Sequence, residues 1–372
     1  ACRRCHPTEA DGSARVGPDL TGLGNRLSVQ QILESLIMPN ASIADGYDSI
    51  VLSLDDGSYL AGRVLEESED NLVLIDAEGE KAFCAGGDIA QMYATGTRGD
   101  YTYGRKFWAD EYRLNAAIAD CAIPYVAVMD GIVMGGGAGI SVHGSHRIVT
   151  ERSMIAMPEC GIGLIPDVGC SLHLAKAPGH LGEFLAMTGW RMNAADSIHA
   201  GFADVAVTSD DLDALKGRLE ETADPDAISD FARAAGEGTL TPHLAAIDRH
   251  FSGATALDCL RTLEEDGSDF AQKAAGMIRK ACPLSVGCSF DLIRRVRQLG
   301  RIEDALALEY RFTWRSMSDG DFVEGIRAQI IDKDRNPRWK VARLEELDPA
   351  QIEAMLASLG ADELKLGREE TE

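Results

Sequence analysis

The stretch Met129–Gly144, MDGIVMGGGAGISVHG, decides the fold. Just upstream, PYVAVMDG is an apolar run bounded by Pro124 and Gly131, the pattern of a short buried strand. Downstream, AGISVHGS reads as the start of a helix. Between them stand Gly135, Gly136 and Gly137, and consecutive glycines weaken any regular element because each has much backbone freedom to lose. They make sense where backbone must come very close to something else. At a helix mouth, free N–H groups and the helix dipole favour an oxygen carrying negative charge. A turn needed only for tight strand–helix packing is the other reading, and the spacing alone leaves both open.

A second stretch bears on that choice. Phe83–Asp88, FCAGGD, also places small residues and exposed N–H groups ahead of a helical segment, DIAQMYA. Two such loops can each give one N–H to a single oxygen, the geometry of an oxyanion hole. Together KAFCAGGDI, PYVAVMDGIVMGGGAGISVHG and MIAMPECGIGLIPDVG resemble the crotonase (enoyl-CoA hydratase/isomerase) superfamily, and within it the branch that hydrolyses 3-hydroxyisobutyryl-CoA. The resemblance runs from about Lys81 to about Leu366. It implies an α/β fold, a crotonase-like superhelix of ββα turns with a helical C-terminal region, that holds an acyl-CoA thioester. The usual N-terminal strands and first long helix are missing from the pattern, and NLVLIDAEGE offers one substitute strand.

The carboxylates follow. Met154–Met157 is apolar and strand-like, so Glu159 falls at its end, where apolar neighbours raise a carboxyl pKa toward the range of a general base. Asp167, in IPDVG, lies across a Gly-rich turn; it is either a site residue or an N-cap for SLHLAKA. Glu111 sits on the amphipathic segment Gly104–Cys121, which turns Phe107, Tyr112, Leu114 and Ile118 toward a core. A solvated charge is the ordinary meaning of such a Glu, whereas the resemblance puts it in the active-site wall. The resemblance likewise implies that the N–H groups of Gly87 and Gly136 hold the oxyanion, with Ala85, Gly86 and Gly135 beside them against the substrate. Glu159 then either activates water or attacks the carbonyl itself. Asp167 and Glu111 bind the 3-hydroxyl or assist proton transfer. Enoyl-CoA hydratases have another glutamate where this chain has Gly139, which is expected to leave space in its place.

The N-terminal part reads differently. Cys2, Cys5 and His6 form the Cys-x-x-Cys-His pattern of c-type haem attachment, with a redox or zinc half-site as the alternative. GPDLTGLG (17–24) and the sequence to about Gly79 resemble a haem-binding cytochrome c domain. Met38 is either the axial ligand or one apolar residue on a helix over Gln31–Ile37. Ile50–Leu54, Tyr59–Val64 and Asn71–Ile75 alternate like a hairpin pair. The expected organisation is therefore residues 1–79 as a partial cytochrome c-like domain and 80–372 as an N-terminally truncated crotonase-like domain.

Lys and Arg total 36 against 60 Asp and Glu, a net charge of −24, which argues against nucleic acid or anionic membrane as partners. No apolar run approaches a membrane span. The chain opens at Ala1 without a signal-peptide pattern, which reads as a missing natural N-terminus. Seven of the 9 cysteines read as reduced core residues of a cytoplasmic protein, whereas the haem motif argues for the periplasm. The His spacing suggests no metal site beyond haem iron. Arg327, Lys333 and Lys340 are candidates for CoA phosphates, with ordinary surface charge as the alternative. The expected activity is hydrolysis of a short branched 3-hydroxyacyl-CoA, as in valine degradation, without metal or redox cofactor. The alternatives are hydratase or isomerase chemistry, haem-based electron transfer with covalent haem c at the N-terminus, or an inactive scaffold; a homo-oligomer is compatible with any of them.

Overall fold

The computed structural model describes residues 82–87 and 89–366, and before them the backbone of three strands, β1 (Ser49–Ser53), β2 (Tyr59–Arg63) and β3 (Val73–Ile75). β1 and β2 pair antiparallel, as their alternation predicts. The second hairpin does not form: β3 instead runs parallel to β5 (Tyr125–Met129), so NLVLIDAEGE does supply a strand to the main sheet. Its run VLI lacks the polar alternation of a half-solvated hairpin arm. Cys2, Cys5, His6 and Met38 lie outside the described residues.

From β3 onward the chain alternates between two parallel sheets. One has the order β3-β5-β7-β9, with β7 at His146–Val149 and β9 at Val205–Ala206. The other is β4-β6-β8, formed by Ala82–Cys84, Ile132–Met134 and Met154–Ala156. Helices follow each pair of strands: α1 (Ala90–Gly96) and α2 (Thr102–Ala119) after β4, and the single turn α3 (Gly136–Gly139) after β6. This is the expected ββα superhelix. β5 is buried along its whole length, as a parallel strand between two layers must be.

After β8 come α4 (Cys170–Lys176), α5 (Leu181–Thr188) and α6 (Ala194–His199), with Gly189 ending α5 and Asn193 capping α6. The helical remainder comprises α7 (Leu212–Thr222), α8 (Ile228–Phe231), α9 (Leu244–Phe251), α10 (Ala256–Glu265), α11 (Asp269–Lys280), α12 (Pro283–Leu299), α13 (Ile302–Ser316), α14 (Phe322–Ile326) and α15 (Pro349–Leu356). The long helices α12 and α13 pack on α4, and α13 also covers α2. No helix of the described residues is long and apolar enough to cross a membrane.

One local expectation is corrected. AGISVHGS does not start a helix but holds the end of one, since α3 begins at Gly136 and stops at Gly139. The Tyr125 hydroxyl donates to the Ile140 carbonyl at 2.6 Å, taking the acceptor that a continuing helix would offer to Gly144. Gly144 packs against the Tyr125 ring, and the chain turns there into β7.

Candidate active site

Because β4, β6 and β8 are parallel neighbours, their carboxyl ends open at one edge of the sheet. Ala85–Gly87 leaves β4, Gly135–Gly136 leaves β6, and Pro158–Glu159 leaves β8 at that edge. The two glycine loops are pressed together: a Cβ at Gly137 would overlap the Cys84 carbonyl oxygen, and one at Gly86 would lie 3.6 Å from the Gly136 nitrogen. Gly86 (φ 97°) and Gly135 (φ 53°) adopt left-handed backbone that favours glycine. The first N–H groups of α3, that of Gly136 among them, have no partner within that turn.

These loops line a cavity of about 390 Å3, within the range of small-molecule sites. All eight expected site residues of this part of the chain line it: Ala85, Gly86, Gly87, Glu111, Gly135, Gly136, Glu159 and Asp167. Met92, Phe107, Trp108, Leu164, Val168 and Phe322 form its apolar wall. Glu111, on α2, is buried rather than solvated, because its face of the helix lies under the α3 loop. A Cβ at Gly136 would meet its Oε1 at 2.6 Å.

Glu159 opens a one-turn 3-10 helix, Glu159–Ile162, which the strand-end reading did not anticipate. It is buried, its Oε2 has no hydrogen-bond partner, and its Oε1 lies 3.8 Å from the Cβ position at Gly135. Leaving a buried carboxyl oxygen unpaired is costly, so this one needs a reason. Asp167 is not the N-cap of α4: that position is Gly169, with no side-chain cap. Its Oδ2 accepts from the Tyr112 hydroxyl at 2.8 Å. The capping role falls to Glu309 on α13, which accepts from the Gly169 N–H at 2.7 Å, the Ser171 N–H at 3.1 Å and the Ser171 hydroxyl.

Four buried carboxyl groups therefore sit near one another. Burial, then the neighbouring Asp167 and Glu309, push Glu159 and Glu111 well above the usual carboxylate range. Burial raises Asp167 to about 7 against the opposing Tyr112 hydrogen bond, and raises Glu309 to about 8. Perturbed carboxyls converging on a cavity are the usual companions of acid–base chemistry.

Gly139 does not leave the expected space. A Cβ there would lie 2.7 Å from the Asn115 Nδ2 and 2.8 Å from the Val168 Cβ, so α2 and the Asp167 loop fill that volume. Of the cationic candidates, Arg327 is taken up by Glu324, Asp332 and Asp334, and the Lys340 Nζ donates to the Asp319 carbonyl at 2.9 Å; Lys333 is exposed. No group of three or more potential metal ligands occurs among the described residues.

Sequence reasoning took Tyr112 for a core residue and passed over Glu309, Asn115 and His143. Glu309 had a signal: it lies four positions after Ala305 and three before Phe312, on the apolar face of its helix, where a charge needs a reason.

Two parallel sheets wound by ββα turns, with glycine loops and carboxylates gathered at one strand edge, define a crotonase-like enzyme. The chain belongs to the enoyl-CoA hydratase/isomerase family, whose model matches residues 60–356. It is similar to the mitochondrial 3-hydroxyisobutyryl-CoA hydrolases of Gallus gallus (39% identical over 312 residues, 81% of this chain and 80% of that protein) and Homo sapiens (36% over 317 residues, 81% and 80%). Two solved structures share its fold. An enoyl-CoA hydratase from Rhodobacter sphaeroides 2.4.1 has TM-score 0.76 and 45% identity, covering 79% of this chain and 86% of that one. A carnitinyl-CoA dehydratase from Mycobacterium thermoresistibile has TM-score 0.76 and 38% identity, covering 80% and 86%.

Proposed function

We propose that this chain hydrolyses a short branched 3-hydroxyacyl-CoA thioester, with 3-hydroxyisobutyryl-CoA as the substrate. The observation that carries the reading is Glu159: a buried carboxyl with one unpaired oxygen, beside the two glycine loops. Its support from outside the site is the similarity to the 3-hydroxyisobutyryl-CoA hydrolases. The thioester carbonyl oxygen binds between the Gly87 and Gly136 N–H groups, which stabilise the tetrahedral oxyanion; one such donor contributes about 3–4 kcal/mol. Ionised Glu159 either takes a proton from attacking water or attacks the carbonyl to form an anhydride that water then opens. Both routes break the C–S bond, and CoA leaves as thiol after taking up a proton. Asp167, oriented by Tyr112, and Glu111 bind the 3-hydroxyl or carry that proton. None of these steps requires a metal or redox cofactor.

A second reading, hydration of an enoyl-CoA, is favoured by one observation: Glu111 joins Glu159 in the cavity, giving the two carboxylates that syn addition of water uses. One experiment separates them. Purified protein is assayed for thiol release from 3-hydroxyisobutyryl-CoA and for loss of enoyl absorbance with crotonyl-CoA. Thiol release, abolished by Glu159→Gln with CoA-ester binding retained, is the expected result. Faster hydration than thiol release would return the chain to the hydratase reading.

A further inference from the structure

Val168 stands alone among the described residues. Four non-glycine residues have positive φ, and it is the only one that is both β-branched and buried (φ 53°). A branched side chain keeps that conformation only where its surroundings over-determine it. Gly169 follows with φ 79°, so two left-handed residues in a row separate Asp167 from α4.

The peptide joining them is held at both ends by side chains from distant elements. Its carbonyl oxygen, on Val168, lies 2.7 Å from the His143 Nε2. A carbonyl only accepts, so that nitrogen carries the proton. Burial holds His143 down at about 4, which leaves the ring neutral with Nδ1 as acceptor, facing His173 Nε2 at 3.3 Å. The N–H of the same peptide, on Gly169, donates to the Glu309 Oε2 at 2.7 Å. Turning the peptide over would set its N–H against the imidazole N–H and its carbonyl against the carboxyl oxygen. The His143 donor therefore fits one orientation only, with the Glu309 oxygen accepting at the other end.

We propose that His143 and Glu309 are positioning residues: they lock the Val168–Gly169 peptide and thereby hold the Asp167 carboxyl and the Val168 side chain in the cavity wall. The Tyr112 hydroxyl donates to the Asp167 carboxyl itself, a bond to the side chain and not to the backbone. The inference rests on the hydrolase reading only for its activity assay.

The test compares His143→Leu, His143→Gln, Glu309→Gln and Ser171→Ala with the unaltered chain. Three quantities are measured: kcat and KM for thiol release, melting temperature, and calorimetric affinity for a non-hydrolysable thioether analogue of the acyl-CoA. Leu removes the donor, whereas the Gln amide N–H reaches the Nε2 position. His143→Leu should therefore lose at least tenfold in kcat, and His143→Gln should recover to within threefold of the unaltered chain. Glu309→Gln puts an NH2 against backbone donors and should also lose at least tenfold, whereas Ser171→Ala, which spares the Gly169 bond, should lose less. Equal effects of Leu and Gln at 143, or of the Glu309 and Ser171 variants, would overturn the lock. If the unaltered chain releases no thiol, the hydrolase reading fails. The lock is then judged by analogue affinity, which should fall at least fivefold in His143→Leu and Glu309→Gln but not in His143→Gln, and the reverse refutes it.

Discussion

Gly137→Ala tests whether the two glycine loops form one oxyanion hole. A methyl group at Gly137 would overlap the Cys84 carbonyl oxygen and lie 2.8 Å from both the carbonyl carbon and the Cβ of Cys84. The obstacle is backbone of β4, which cannot rotate away as a side-chain tip would. To restore ordinary contact the β4 end must retreat by roughly 1 Å, and Ala85–Gly87 moves with it. A hydrogen bond of about 2.9 Å stretched by that amount is no longer one. The Gly87 N–H is then lost to the oxyanion while the Gly136 N–H remains. Losing one such donor costs about 3–4 kcal/mol of barrier, a fall in kcat of about 10²–10³-fold; the crowding itself costs about 1–3 kcal/mol of stability. The assay is thiol release with 3-hydroxyisobutyryl-CoA alongside a thermal melt. Gly276→Ala, on α11 with nothing within 4 Å of its added methyl, is the control. It should leave kcat alone and add about 0.5–1 kcal/mol of stability. A folded Gly137→Ala protein with kcat within threefold of the unaltered chain would refute the two-loop oxyanion hole.

The remaining predictions concern carboxyl groups. Gly139→Glu should destabilise the protein and confer no hydration of crotonyl-CoA, since its Cβ would already crowd Asn115 and Val168; a gain of hydration would show that this volume is free. Glu159 must be ionised to act, so kcat/KM should fall as pH drops, with the limb above the ordinary carboxylate range. The Asp167 charge is one cause of that raised value, so Asp167→Asn should move the limb to lower pH in a pH–rate profile. Stability should fall between pH 6.5 and 8. With Asp167 raised to about 7 and Glu309 to about 8, the folded chain keeps protons that the unfolded chain has shed, so rising pH favours unfolding. Below about 6.5 the unfolded chain gains protons on His143 and His173, which the fold keeps neutral, and the trend is opposed. Melting temperatures at pH 6.5 and 8 check this, and Asp167→Asn should flatten the slope.

The glycine loops and Glu159 were legible in the sequence because each is a local event, a glycine run or a carboxylate at the end of an apolar strand-like run. The residues around Asp167, by contrast, left a site role and a helix cap both open. The sequence by itself also marked YVAVM as a short buried strand, and β5 is buried along its whole length. What it did not carry is which distant residues meet. Tyr112 reaches Asp167 across 55 positions, Glu309 reaches Gly169 across 140, and His143 reaches Val168 across 25. The filling of the Gly139 volume by Asn115 likewise depends on how α2 seats against α3. Only the tertiary structure decided these, because a side chain's own neighbours in sequence fix the face it points from, whereas the packing of separate helices fixes what it points at.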